Sequence, residues 1–93
     1  MKRRAEIRGE TWTLRDARRD MREYGDCSYA TKTIRIRRGQ DEQSELDTTI
    51  HEVLHALLPD FCEESVREGA ADLAAILWDM GWRRRNRGFP RSL

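Results

Sequence analysis

The chain has 93 residues, of which 38% are apolar and 38% charged, and its formal net charge at pH 7 is +1. This length and composition predict one small globular domain over residues 1–93 and exclude a membrane-spanning protein, because no apolar run is long enough to cross a bilayer. The basic start, MKRR, is followed by the polar segment AEIRGETW, where a signal peptide would need an apolar stretch. We therefore expect a cytoplasmic location.

The N-terminal segment predicts two short strands and a helix. Residues 5–14, AEIRGETWTL, are typical of two strand-like pieces joined by a turn at Gly9-Glu10. Residues 15–24, RDARRDMREY, predict a short helix that Gly25 ends.

A hairpin is predicted next, over residues 26–39. Its second arm, Thr33 to Arg37, alternates Ile34 and Ile36 with polar residues, which is the pattern of a strand with one buried face.

Two helices are predicted to follow. Ser44 with Asp47 three residues later is a capping signature, and the helix it opens should extend to about Leu58, because Pro59 disfavours helix at the residue before it. The apolar stripe of this helix is predicted to face the core and contains Leu46, Ile50, Val53 and Leu57.

A second capping signature, Asp60 with Glu63, opens another helix that should stop at Gly81. The predicted fold class is therefore α+β: a small β-sheet followed by a helical hairpin.

The first of these helices contains HEVLH, an HExxH motif made by His51, Glu52 and His55. Residues four apart lie on one face of a helix, so both imidazoles can bind one Zn²⁺ ion while the adjacent glutamate acts on a zinc-activated water as general base. On a helical wheel the histidines lie away from the predicted core stripe, so they are not ordinary core residues. The alternative is two surface histidines without a metal.

A third protein ligand is expected from the second helix. In an antiparallel hairpin that turns near Asp60, Glu68 is level with the metal, and Glu64 is the alternative ligand. Asp72, one turn beyond Glu68, is placed to accept a hydrogen bond from the distal ring nitrogen of His51. Glu63 is too close to the turn on this geometry and is explained as a helix-capping residue. The alternative for the other three is a solvated acidic face.

With these residues in place, the chain resembles a minimal gluzincin, with HExxH on one helix and ExxxD, Glu68 to Asp72, on the next. The segments TTIHEVLHALL and EGAADLAA look like those of ImmA/IrrE-type peptidases of mobile elements, and YGDCSYATKTIRI is similar to a segment of SprT-like metalloproteases. The resemblance implies a minimal zincin fold, with His51, His55 and Glu68 as ligands, Glu52 as base and Asp72 as support. It also implies that the Ile34 strand is an edge strand that binds an extended peptide.

Two functions are compatible with these patterns. The first is a zinc-dependent metallopeptidase that hydrolyses a peptide or protein substrate, in a phage or mobile-element setting. The second is a non-catalytic zinc module that binds a protein or nucleic acid through its Arg-rich ends, which include the tail at residues 83–93. Glu52 favours the first, because a purely structural site needs no base beside its ligands. A closed four-ligand site that included Cys62 would favour the second.

Overall fold

The computed structural model describes residues 2–84, which form a four-stranded sheet followed by two helices. The predicted α+β class, a small sheet and a helical hairpin, is confirmed. The elements are β1 (Lys2–Ile7), β2 (Glu10–Ala17), β3 (Gly25–Ser28), β4 (Thr33–Arg37), α1 (Glu42–Leu57) and α2 (Glu63–Asp79).

The two N-terminal strands form the predicted hairpin, and both are longer than expected. The turn between them lies at Arg8 and Gly9, one residue earlier than predicted, and both have positive φ, 54° and 80°. Two positive φ angles define the hairpin turn whose twist matches that of the strands, and glycine adopts this backbone without steric cost.

The predicted helix at residues 15–24 is wrong. β2 continues to Ala17, and residues 18–24 form turns and bends before β3 begins. The segment contains good helix formers, but its first residues pair with strands on both sides, and this pairing overrides local propensity.

The strand order in the sheet is β1-β2-β4-β3. β4 lies between β2, which is parallel to it, and β3, which is antiparallel to it. The expectation that the Ile34 strand is an edge strand is therefore wrong: β4 is interior, and β3 forms the edge. β3 precedes β4 in the chain but lies at the edge, and β4 lies between β3 and β2.

One face of the sheet holds the core. Ile34 and Ile36 are 0% and 1% exposed, so the predicted inward alternation of β4 is confirmed. The core cluster consists of Ile7, Trp12, Leu14, Ile34, Ile36 and Ala56 of α1.

Helix α1 begins two residues before the predicted start. Asp41 is the N-cap, and its carboxylate accepts a hydrogen bond from the Ser44 backbone N–H at 2.8 Å. Asp41 and not Ser44 therefore caps the helix, and an aspartate is as good an N-cap residue as a serine. The end at Leu57, with Leu58 as C-cap, agrees with the prediction.

The buried stripe of α1 differs from the predicted one. Its buried residues are Thr48, Glu52 and Ala56, whereas Leu57 is 39% exposed. The helix packs on the sheet with one side and on α2 with another, so its apolar residues are divided between two contacts. Thr48 and Glu52 face the backbone of β3 at Gly25, where no side chain separates helix from strand.

Helix α2 begins at Glu63 with Cys62 as N-cap, whereas Asp60 was predicted to cap it. Its end is as predicted: Gly81 has a φ of 98°, and its N–H donates to the Trp78 carbonyl at 3.0 Å. The side facing α1 is made of small residues and one valine, which are Val66, Ala70 and Ala74.

Beyond α2, Arg84 forms an ion pair with Glu45 of α1 at 2.6 Å. The rest of the predicted Arg-rich tail, residues 85–93, lies outside the described residues. No helix within residues 2–84 has the length and apolarity needed to cross a bilayer.

Candidate metal centre

The two histidines of HExxH point their rings to one place beside α1. His51 and His55 lie one helical turn apart, and their Nε2 atoms are 3.2 Å from each other. Both side chains are mostly buried, with 20% and 23% of their surface exposed. The predicted pairing of the imidazoles is thus present.

Glu63, the first residue of α2, brings a carboxylate to these nitrogens. One oxygen lies 3.0 Å from His51 Nε2, and the other lies 2.9 Å from His55 Nε2. Among the His, Cys, Asp and Glu side chains of residues 2–84, His51, His55 and Glu63 form the group of three whose possible ligand atoms all lie within 4.8 Å of one another.

The spacing of the three ligands fits zinc. Ligand atoms bound tetrahedrally at about 2.0–2.1 Å from one Zn²⁺ are separated by about 3.3 Å. The separations here are 3.2 Å, 3.0 Å and 2.9 Å, so a small opening of the cluster is enough to reach that geometry. Two neutral imidazoles and one carboxylate are also a donor set typical of catalytic zinc, which leaves the fourth position open.

The structure brings Glu63, and not Glu68, to the histidines. Glu68 and Glu64 are exposed and lie outside the ligand group. Asp72 is exposed as well, and no hydrogen bond joins it to His51 among the described residues. The prediction had treated the helix connection as a tight turn. Five residues separate α1 from α2, and with this connection the first residue of α2, Glu63, lies level with the histidines.

Glu52 lies on the sheet-facing side of α1 and is 8% exposed. Burial, together with the negative charges of Asp26 and Glu63, raises the pKa of its carboxyl to about 7. A glutamate with this pKa can both accept and return a proton near neutral pH.

Gly25 explains how α1 comes so close to β3. A Cβ atom at this position would lie 2.8 Å from the Arg35 carbonyl oxygen, 2.8 Å from Thr48 Cγ2 and 3.2 Å from Glu52 Cγ. Any other residue would push the helix away from the strand. The absence of a side chain at Gly25 therefore sets the position of the HExxH helix.

Tyr29, in the turn after β3, ties this end of the sheet to the same helix. Its hydroxyl donates a hydrogen bond to the His55 carbonyl oxygen at 2.6 Å, and its ring packs edge-on against Trp12 at 6.0 Å between centroids.

A groove of about 910 Å³ runs between β3 and the helices. Gly25, Asp26 and Cys27 form its wall on the strand side, and the HExxH residues and Glu63 lie along the helix side. The Cys27 thiol is half-buried, and burial together with the charges of Glu52 and Asp26 raises its pKa to about 11. This thiol is therefore protonated at neutral pH and unsuited to be a nucleophile.

Two charged groups beside the groove neutralise each other. Asp26 and Arg35, which are opposite each other on β3 and β4, form a bidentate ion pair. Cys62, the other cysteine, is exposed and is not a member of the ligand group within residues 2–84.

Glu63 is the site residue that sequence reasoning had set aside. Its signal was its place at the start of the second helix, eight residues after His55. Comparison of the chain with models of protein families, with curated proteins and with solved structures gave no match.

Proposed function

We propose that this protein is a zinc-dependent metallopeptidase, in which His51, His55 and Glu63 hold the metal and Glu52 is the general base. The observation that carries the proposal is the convergence of three ligand atoms beside an open groove that Glu52 also lines. When bound, zinc supplies Lewis-acid chemistry, because it lowers the pKa of a water molecule and polarises a carbonyl group.

Glu52 faces β3, and its side chain lines the same groove as His51, His55 and Glu63. In the proposed reaction it takes a proton from the attacking water and gives a proton to the leaving amine. Its burial keeps bulk water away from the carboxylate. Asp26, another acid that lines the groove, is neutralised by its ion pair with Arg35.

The proposed substrate is an extended segment of a peptide or protein. β3 is at the end of the sheet, so among residues 2–84 one side of its backbone has no neighbouring strand. An extended chain can add to such an edge through backbone hydrogen bonds, and β3 forms one wall of the groove that contains the ligands. This assigns peptide binding to Gly25–Ser28 and not to the Ile34 strand.

The number of ligands favours an enzyme over a purely structural zinc module. A structural zinc is held by four protein ligands, whereas a catalytic zinc keeps a position open. Within residues 2–84 the group contains three ligands, and Cys62 does not complete it.

The test is zinc content by mass spectrometry, together with hydrolysis of a fluorescently labelled unstructured protein such as casein. We expect about one zinc per chain and hydrolysis in the wild type, and zinc without hydrolysis in Glu52→Gln. Glu64→Gln, the same change at an exposed position of α2, is the matched control and should behave as wild type. Full hydrolysis by Glu52→Gln would refute its role as base, and zinc without hydrolysis in the wild type would favour the binding module.

A further inference from the structure

The net charge of +1 hides two oppositely charged layers. Residues 2–40, which contain the sheet, have 12 Lys and Arg and six Asp and Glu. Residues 41–80, which contain the two helices, have one Arg and 11 Asp and Glu. Because the helices cover one face of the sheet, the opposite face belongs to the basic layer.

The strand register groups several of these cations into one row on that outer face. Lys2 is opposite Arg15, and Arg15 is opposite Arg35, so cations from three neighbouring strands lie side by side. Arg4 adds a further cation two residues along β1, opposite Thr13. Alternation along the strands places these residues opposite the buried face.

This arrangement is electrostatically unfavourable without a ligand. Like charges directly opposite each other on neighbouring strands destabilise a sheet. Arg35 is relieved by its ion pair with Asp26, but within residues 2–84 no ion pair involves Arg4 or Arg15, and both are exposed. An anionic partner on this face would remove the repulsion.

We propose that the outer face of the sheet binds the phosphate backbone of double-stranded nucleic acid. Arginine binds phosphate through a planar fork of donors, and Thr13, which is opposite Arg4, adds a hydroxyl of the kind that contacts phosphate oxygens. The strands are about 4.8 Å apart, so the row presents closely spaced cations to a repeating anion. The acidic helix layer repels phosphates and leaves this face as the docking side.

The chemistry of the face distinguishes this partner from others. The outward-facing residues of the four strands include no aromatic side chain to stack on single-stranded bases. The exposed ring of Tyr24 lies beside this face, and the Arg37 guanidinium already stacks on it, 4.5 Å from the centroid. Protein interfaces are anchored by buried aromatic and apolar residues, and membrane docking also needs apolar anchors. This face contains cations, threonines and a few acids, which suits a backbone contact without base readout.

The test is fluorescence anisotropy of a labelled 20-base-pair DNA duplex of arbitrary sequence, titrated with the full chain from 50 to 200 mM salt. The double variant Arg4→Gln/Arg15→Gln should bind at least about 10-fold more weakly at 50 mM salt. Its slope of log affinity against log salt should be smaller by about 1.8, because each lost phosphate contact removes about 0.9. Both positions are exposed, and circular dichroism checks that the fold is retained.

The matched control is Arg87→Gln/Arg91→Gln, which removes the same charge from the Arg-rich C-terminal segment. A loss in the sheet variant that exceeds the loss in the control supports the sheet face as a contact. Equal losses in both variants would overturn it, because removal of two charges anywhere in the chain would then explain them. Wild-type affinity in the sheet variant, or no duplex binding by the wild type at 50 mM salt, would overturn the proposal. The proposal would also be overturned if polyglutamate bound the wild type as tightly as the duplex does and its affinity fell equally in the sheet variant. The partner would then be an acidic protein.

Discussion

Glu52 is the residue whose surroundings differ most from those of an ordinary helical glutamate. It lies under α1 against the strand backbone, 8% exposed, near the charges of Asp26 and Glu63. These surroundings favour its neutral form. In the zinc-free protein, the ionised Glu52 carboxylate, which is the proposed general base, is therefore a source of instability above neutral pH.

The Glu52→Gln variant tests this directly in zinc-free protein kept in EDTA. The pKa rises from 4.5 to about 7 on folding, so the favourable contribution of the neutral carboxyl is complete below about pH 4.5 and is lost as the pH rises through 7. Glutamine keeps the shape without ionising. We expect its free energy of unfolding relative to wild type to increase between pH 5 and pH 8, by on the order of 2 kcal/mol.

The measurement is urea unfolding at several pH values, with Glu64→Gln at an exposed position as the control. A difference in unfolding free energy between wild type and Glu52→Gln that stays constant from pH 5 to pH 8 would contradict the raised pKa of this carboxyl.

The sequence predicted only some of the individual residues of the candidate site. His51, Glu52 and His55 followed from spacing within one helix, because four residues always bring two side chains to one face. Glu63 depends on how five connecting residues direct the next helix, and no periodicity encodes that path. The prediction of Glu68 assumed a shorter connection, and the acidic residues of α2 gave no other way to rank them.

Among the elements, the contact between β3 and α1 decides where the HExxH helix lies. A methyl group at Gly25 would come within 2.8 Å of two atoms, one of which is a backbone oxygen. We expect Gly25→Ala to lower the free energy of unfolding by about 1–3 kcal/mol, as overpacking does. It should also weaken zinc binding, because α1 must shift.

Gly69 in α2 is the matched control. The nearest atom to a Cβ there is Leu54 Cδ1 at 3.8 Å, an ordinary contact. Gly69→Ala should stabilise the protein by about 0.5–1 kcal/mol, because alanine favours the helix interior. Chemical denaturation measures both variants, and a Gly25→Ala protein as stable as wild type would contradict the close packing of α1 on β3.

The sequence predicted the elements better than their arrangement. Both hairpins and both helices were predicted, because strand alternation and helix periodicity are local signals, although both helices have a different N-cap from the predicted one. The helix expected at residues 15–24 was wrong, and β4 was expected at the sheet edge although it is interior. Both errors concern the pairing of β2 with β4, which joins residues about 20 positions apart and leaves no trace in either strand alone.

For the whole molecule, the proposed metal site would add a second link between α1 and α2, which already pack against each other. Zinc that binds the folded chain should stabilise it by mass action, by about 2.7 kcal/mol when free zinc is 100 times its dissociation constant. In a domain of this size this raises the melting temperature by about 10 °C or more. Thermal unfolding with and without zinc measures the shift. Glu64→Gln should keep it, and a melting temperature indifferent to zinc in the wild type would contradict the site.

The most direct measurement is the zinc affinity of Glu63→Ala beside that of Glu68→Ala, by competition with a chromophoric chelator. Glu63 lies within 3.0 Å of both imidazole nitrogens, whereas Glu68 is exposed outside the ligand group. We expect Glu63→Ala to bind zinc at least about 100-fold more weakly, since loss of a direct ligand exceeds the 10–100-fold effect of losing a supporting group. Glu68→Ala should bind zinc as wild type does. The reverse pattern, with zinc lost in Glu68→Ala and kept in Glu63→Ala, would contradict the metal centre described here.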